Sequence, residues 1–396
     1  VVALDGYEME TLMVNGVNHV NDIADDFTYT FALPAENVFI SATAVEEVPP
    51  TPGEWVMVSL NDLTEDDVFV IVGVYDEDES SCAMPNNSTG APSAVEVTMV
   101  GNTLSGDIAD NLKWNLSIGE DGYTFYPDGD TTTWLYCNNT NNGVRMGTNE
   151  NNVFSMTSEG YLYNNATDRY IGIYNHQDWR CYTSINNNIK NQTFAFFKRV
   201  DESEIETYTL DITGYGDNEG GYYLIAPPVS MIRPTAENGF LTDEYDLYYF
   251  DQAQQGEEWR NYKAKKFFPA SGKGYLYASQ ESTMLIFTGV PYNGNGEVAL
   301  DYTEGASFAG WNLIGNPFGN AATIDKAYYR LNQYGSEVDP TTEQSAIAVM
   351  EGVFVVADTD EETVTFTEQT NPDNSNGVSQ FSINVSMNRG ASVDRA

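Results

Sequence analysis

Apolar and polar residues alternate in short runs along almost the whole chain: FTYTFAL, VFVIVGV, VEVTMV, YLYNN, IGIY and VTFTEQ, separated by clusters of Gly, Asn, Asp and Pro. A period of two places alternate side chains on opposite faces of a strand, and long helical periodicity is absent. Runs spaced by roughly ten residues are those of sandwiches and small barrels. The chain is therefore expected to be all-β.

Its 396 residues exceed one compact core of ordinary size, and 41% hydrophobic and 13% aromatic residues supply enough apolar surface for several. A balance of 17 Lys and Arg against 59 Asp and Glu, net −42, repels phosphate backbones and anionic lipid. Neither nucleic acid nor a membrane surface is an expected partner, and no apolar stretch is long enough to insert in a membrane. The opening VVALDGYEME lacks the form of a signal peptide, so any export signal is expected upstream.

Residues 1–48 hold no Lys or Arg and end in the stiff EEVPPTPGE, which sets a first boundary near Val48. Within them, Tyr29, Thr30, Phe31, Leu33, Pro34, Ala35, Val38, Ser41 and Ala42 resemble the signature of the internalin-type B-repeat of bacterial surface proteins, with Ala32-Leu33 where that family has Thr-Met. The resemblance implies a partial B-repeat-like β domain whose opening strands belong to a longer parent.

Residues 53–200 contain two pieces of like design, LKWNLSIGEDGYTFYPDGDTTTWLYCNNTNNGVRMG and NVFSMTSEGYLYNNATDRYIGIYNHQDWRCYT. Such a weak repeat suits a small closed β-barrel, with a β-trefoil as one candidate. The segment resembles an accessory module of secreted Bacteroidales proteins, most specifically over Trp134 to Gly147 and Arg169 to Thr183. That module accompanies many partners, so the resemblance implies no particular chemistry.

Residues 204–396 carry a duplication. YYLIAPPV (222–229) matches WNLIGNPF (311–318), LYYFDQ matches AYYRLNQ, GKGYLYA matches MEGVFVVA, and MLIFTG matches TVTFTE, all in the same order. Two similar sheets that cannot each bury an apolar face alone are expected to pack as a sandwich, with Leu224 and Leu313 in a shared core and Tyr222 and Trp311 on the same side. This half resembles a surface-exposed β-sandwich domain of Bacteroidetes whose recurring signature is GWNLIGNPF. In its relatives the chain continues past VDRA to a sorting or anchoring region.

The stretch RYIGIYNHQDWRCYT is the densest candidate site. Asn175, Asp178 and Arg180 offer hydrogen bonds to hydroxyls, and Tyr174, Trp179 or Tyr182 offers a ring on which a sugar can stack; the polar groups of CNNTNNGVR, Asn142 and Arg145 among them, offer a pocket lining, against a favoured reading as turn geometry and solvation at Asn142-Gly143. Alternation gives a competing structural reading, in which Trp179 and Cys181 face a core and Asp178 pairs with Arg180 to order the strand. Cys137 and Cys181 lie in equivalent-looking strands and either pair or remain buried thiols.

With His19 and His176 the only histidines, histidine metal centres are excluded and a Ser/His/Asp triad has two candidates for its base. DEYDLYYFD offers paired carboxylates of the kind a glycosidase needs, but Asp246 and Tyr248 fall in one half of the duplication and Lys326 and Tyr328 match them in the other, which favours a structural role. No cofactor is expected; calcium at YPDGDTTTW or DTDEET is the one ion the composition admits, and solvated turns are the favoured reading of both. The expected function is non-catalytic: adhesion or display outside a Bacteroidetes-like cell, with a glycan or a host or bacterial surface protein as partner. The alternative is a carbohydrate-binding accessory region of a larger extracellular hydrolase.

Overall fold

The computed structural model describes residues 8–15, 17–19, 40–45, 54–87, 90–157, 159–217, 221–241, 245–331, 338–341 and 345–369. The fold is all-β, with 47% strand and, among the described residues, no helix of seven or more residues. Among the described residues, no helix is long and apolar enough to cross a membrane. The described residues divide into two compact units, one within Val1–Pro50 and one within Thr51–Gly377.

In the first unit β1 (Glu8–Val14), β2 (Val17–Asn18) and β3 (Ile40–Val45) form an antiparallel sheet in the order β2-β1-β3. Asn15 turns the chain between β1 and β2 with φ 50°, a conformation in which Asn is favoured. Of the B-repeat signature, Ser41 and Ala42 lie in β3 opposite Met13 and Leu12; Tyr29 to Val38 lie outside the described residues.

The second unit begins with β4 (Glu54–Val58), β5 (Phe69–Tyr75), β6 (Ser81–Ala83), β7 (Val95–Val100) and β8 (Thr103–Ser105). Then come β9 (Trp114–Gly119), β10 (Gly122–Pro127), β11 (Trp134–Cys137), β12 (Val144–Gly147), β13 (Phe154–Met156), β14 (Leu162–Asn164), β15 (Arg169–Tyr174), β16 (Asp178–Tyr182) and β17 (Gln192–Val200). Strands β5-β17-β4-β8-β7-β6 close into a six-stranded barrel through the β5–β6 pairing. The sheet also continues from β5 through β9, β10, β13, β14 and β15 to β16, while β11 and β12 pair only with each other.

Two cores follow from the alternation in β5 and β17. Val70, Val72 and Val74, with Ala195 and Phe197, join Trp55, Met57, Ala83 and Leu104 in a cluster that draws on all six barrel strands, and therefore fills the barrel. Phe69, Ile71, Phe194 and Phe196 point the other way, onto Trp114, Phe125, Phe154, Ile173 and Trp179. Burial on both faces is why FVIVGV and TFAFF read as nearly unbroken apolar runs.

The remaining strands are β18 (Glu206–Ile212), β19 (Tyr223–Ile225), β20 (Tyr245–Phe250), β21 (Trp259–Asn261), β22 (Tyr275–Ser279) and β23 (Thr283–Gly289) in the first copy of the duplication. The second has β24 (Glu297–Ala299), β25 (Trp311–Gly315), β26 (Ala322–Ile324), β27 (Tyr328–Leu331), β28 (Val338–Thr341), β29 (Gly352–Val356) and β30 (Thr363–Glu368). Sheet β19-β22-β20-β21 has the same connectivity as β25-β29-β27-β28, and the first strand of each copy pairs with its last, β18 with β23 and β24 with β30. The copies also meet reciprocally. Ile225 bridges Glu351 and Lys273 bridges Ile314, while Ala226 N donates to Met350 O (3.0 Å) and Gly315 N to Gly272 O (3.0 Å). These pairs exchange under one internal two-fold relation.

Leu224 and Leu313, each 8% exposed, lie in one cluster with Phe354, flanked by Phe250, Leu276, Trp311, Tyr329 and Leu331. The shared core is thus formed as the duplication implies. Tyr222 departs from expectation: it is 42% exposed, because it precedes β19 and strand alternation does not reach it. The halves also align one residue away from their sequence match. Tyr248 pairs with Leu276 and Tyr329 with Phe354, so the partner of Tyr248 is Tyr329, and Lys326 has no counterpart in Asp246.

Within this unit the barrel and the duplicated half are joined by polar contacts. Ser59 N donates to Ser230 Oγ (2.8 Å), which donates to Asp62 Oδ2 (2.6 Å). Asn102 Nδ2 donates to Thr288 O (2.9 Å), and Lys265 Nζ reaches Asp76 Oδ2 (2.8 Å) and Gln192 O (2.7 Å). Phe268 and Met231 add apolar contact at the barrel core.

Candidate functional site

The β15–β16 hairpin is built from the opening candidate stretch. Its ladder runs from Tyr170 opposite Tyr182 to Tyr174 opposite Asp178, and Asn175 (φ 45°) and His176 (φ 55°) make the turn in left-handed conformations. Gln177 N closes it on Tyr174 O at 2.8 Å. The turn reaches the barrel through His176, whose ring stacks on Tyr75 with centroids 3.8 Å apart, and whose backbone N–H donates to the Tyr75 hydroxyl at 2.9 Å. Burial raises that hydroxyl to a pKa of about 12, so it stays a neutral donor and acceptor.

The structure brings Tyr174, Asp178 and Arg180 together. Arg180 Nε and Nη2 grip the two carboxylate oxygens of Asp178 at 2.6 and 3.1 Å, while its guanidinium lies 3.9 Å over the Tyr174 ring. The groups offered to a sugar are thereby engaged with one another: Arg180 covers one face of Tyr174 and occupies both oxygens of Asp178. Asn175 is exposed in the turn beside them.

Trp179 faces the other way. It is wholly buried, donates Nε1–H to Ala83 O at 3.2 Å, and packs on Phe194 with centroids 6.0 Å apart, so it presents no ring to a ligand. Tyr182 is also buried, at the ladder position opposite Tyr170. Asn142 stands exposed in the β11–β12 turn, and Arg145 in β12 donates Nη1–H to Val144 O at 2.7 Å, on a sheet separate from β15 and β16.

The two acidic stretches considered for calcium are used within the chain. Asp130 accepts from Thr132 N at 2.8 Å and from Thr133 Oγ1 at 3.0 Å, and Lys326 pairs with Asp358 (3.4 Å) and Glu362. Among the described residues, no three His, Cys, Asp or Glu side chains gather as metal ligands.

A second surface was not read from the sequence. Where the two copies meet, rings continue the shared core outward: Phe250 stands 5.1 Å from Trp259, 5.9 Å from Phe308 and 5.4 Å from Phe354. Trp311 packs on Tyr329 (5.1 Å) and Phe354 (5.8 Å), and Tyr248 touches Trp259 edge-on. Trp259 is 38% and Phe308 46% exposed, so this array ends in open aromatic surface. The available signal was the alternation in YDLYYF: Tyr245, Leu247 and Tyr249 face the core of their own copy, which turns Tyr248 and Phe250 outward.

No family model matches this chain, and a search of the curated proteins finds no match.

Proposed function

We propose that this chain is a non-catalytic adhesion and display region of a secreted or outer-surface protein, and that it binds neutral glycan on the aromatic surface ending in Trp259 and Phe308. The observation that carries this reading is the contrast between the two sites. At the histidine hairpin, Asp178, Arg180, Tyr174 and His176 are spent on one another and on Tyr75. At the junction of the copies, Trp259 and Phe308 stay partly exposed although burying what remains of each ring would be favourable by about 1 kcal/mol. Exposed rings beside a rigid core suit the apolar faces of sugar rings. The net charge of −42 disfavours phosphorylated or uronate-rich polymers, which points to uncharged sugars. The resemblances to Bacteroidetes surface modules and to the internalin-type B-repeat agree with a location outside the cell.

The test is binding of the whole chain to arrayed neutral glycans, with Trp259→Ala and Phe308→Ala as variants. Loss of one ring is expected to weaken binding by about 1–2 kcal/mol, roughly five- to thirtyfold, in a chain that remains folded. Undiminished binding in both variants refutes the assignment of the face. An accessory role in a larger extracellular hydrolase is the second reading, and the same aromatic surface favours it. Under that reading Trp259→Ala lowers turnover of polymeric substrate by the parent enzyme and spares short soluble substrate.

A further inference from the structure

Hairpin β11–β12 shares no ladder with the large sheet; its turn is instead laid on β16. Cys181 N donates to Asn141 O at 3.1 Å, and Cys181 Sγ lies 3.2 Å from Thr140 O and 3.8 Å from Asn138 O. Cys137, the last residue of β11, is held by its own N–H to Asn151 O at 3.0 Å. Asn138, whose carbonyl Cys181 Sγ approaches, is bonded directly to Cys137, and both cysteines are wholly buried in the same core.

The turn is fixed before any chemistry. Asn138 Oδ1 accepts from Thr140 N (3.1 Å) and Oγ1 (2.6 Å), and a Cβ at Gly143 would run into Asn138 and Thr140. Arg169 braces the same place, donating from Nη1 to Asn141 Oδ1 (3.1 Å) and Cys181 O (3.2 Å). Its guanidinium is buried without a carboxylate partner among the described residues, a cation available to a neighbouring thiolate.

We propose that Cys137 and Cys181 are a disulfide-forming pair, oxidised in the mature protein, which fastens hairpin β11–β12 covalently to β16. Each thiol gives up a proton and the two sulfurs join. The two electrons pass to the disulfide bond of an exchanging oxidant, which breaks and takes up both protons as two thiols. In the structure all three cysteines are buried thiols; burial then shields the new bond from reduction and leaves Cys82, in β6, as the one remaining thiol.

The test is to treat the whole chain with oxidised glutathione, both folded and during refolding from urea, and then alkylate in denaturant without reductant. The expected count of reactive thiols falls from three to one. Peptide mapping should place the survivor at Cys82 and link the Cys137 and Cys181 peptides, and a Cys82→Ser variant should show none. Three reactive thiols after oxidative refolding overturn the proposal, as does any link to Cys82 or a stable glutathione adduct on Cys137 or Cys181.

Discussion

Leu224 and Leu313 offer the sharpest test of the internal two-fold. They come from different copies, yet each is 8% exposed and both lie in the cluster centred on Phe354. Truncating a buried leucine to alanine costs about 2.7–5 kcal/mol, and the lower end applies where neighbours can collapse into the space. Here Phe250, Leu276, Trp311 and Tyr329 are only partly buried and can move, so about 3 kcal/mol is expected for each single variant. The informative quantity is the coupling. Once Leu224→Ala has opened the cluster, Leu313→Ala removes contacts already loosened, and the double variant should fall short of the sum by about 0.5–1.5 kcal/mol. Urea unfolding of the wild type, both singles and the double, with a common slope, measures this directly. Additivity to within about 0.3 kcal/mol would show that the two copies keep separate cores, and the packing argument would fail.

Neighbouring positions on β16 should behave oppositely. Trp179→Ala is expected to destabilise by about 3–5 kcal/mol, since the ring is wholly buried and bonded to Ala83 O. Arg180→Ala should cost about 1 kcal/mol or less, because its pair with Asp178 is partly solvated. A melting temperature unchanged by Trp179→Ala would contradict the placement of that ring. Asp62, between the barrel and the duplicated half, has its pKa raised by burial despite hydrogen bonds from Ser230 and Ser271. The folded state thus holds its proton more tightly than the unfolded chain. Stability should fall as pH rises from the unfolded carboxylate value through the raised folded one, and then level off. Asp62→Asn should flatten that slope in melting curves recorded across the acid range; an unaltered slope assigns it to other groups.

The legible part of the fold was whatever strand periodicity controls. Alternation predicted the buried set of β16, Trp179 with Cys181, and the Asp178–Arg180 pair on its other face. The duplication foretold that Leu224 and Leu313 meet. Register was less visible: β20 and β27 carry similar aromatic runs, and only the pairing of Tyr248 with Leu276 and of Tyr329 with Phe354 fixes which tyrosine matches which. The aromatic surface was hidden for a related reason. Trp259 and Phe308 come from stretches far apart in sequence, and nothing local to either says that β20 will place Phe250 between them.

The two surfaces differ in what made each of them look functional. The hairpin drew attention by its chemical variety, since Asn, His, Asp, Trp, Arg and Cys crowd into a few positions. That variety is what a short hairpin on an acidic protein needs to hold its own turn: left-handed residues at Asn175 and His176, an ion pair across one strand, and a ring to seat the guanidinium. Every polar group bonded internally is one fewer for a ligand, because a ligand must then replace a bond already made. The array at the junction of the copies has little chemical variety and correspondingly little internal satisfaction. The faces of Trp259 and Phe308 left in water require no partner to be broken before a sugar ring can cover them. The proposed binding is therefore placed on residual exposed aromatic surface and not on the density of reactive residue types.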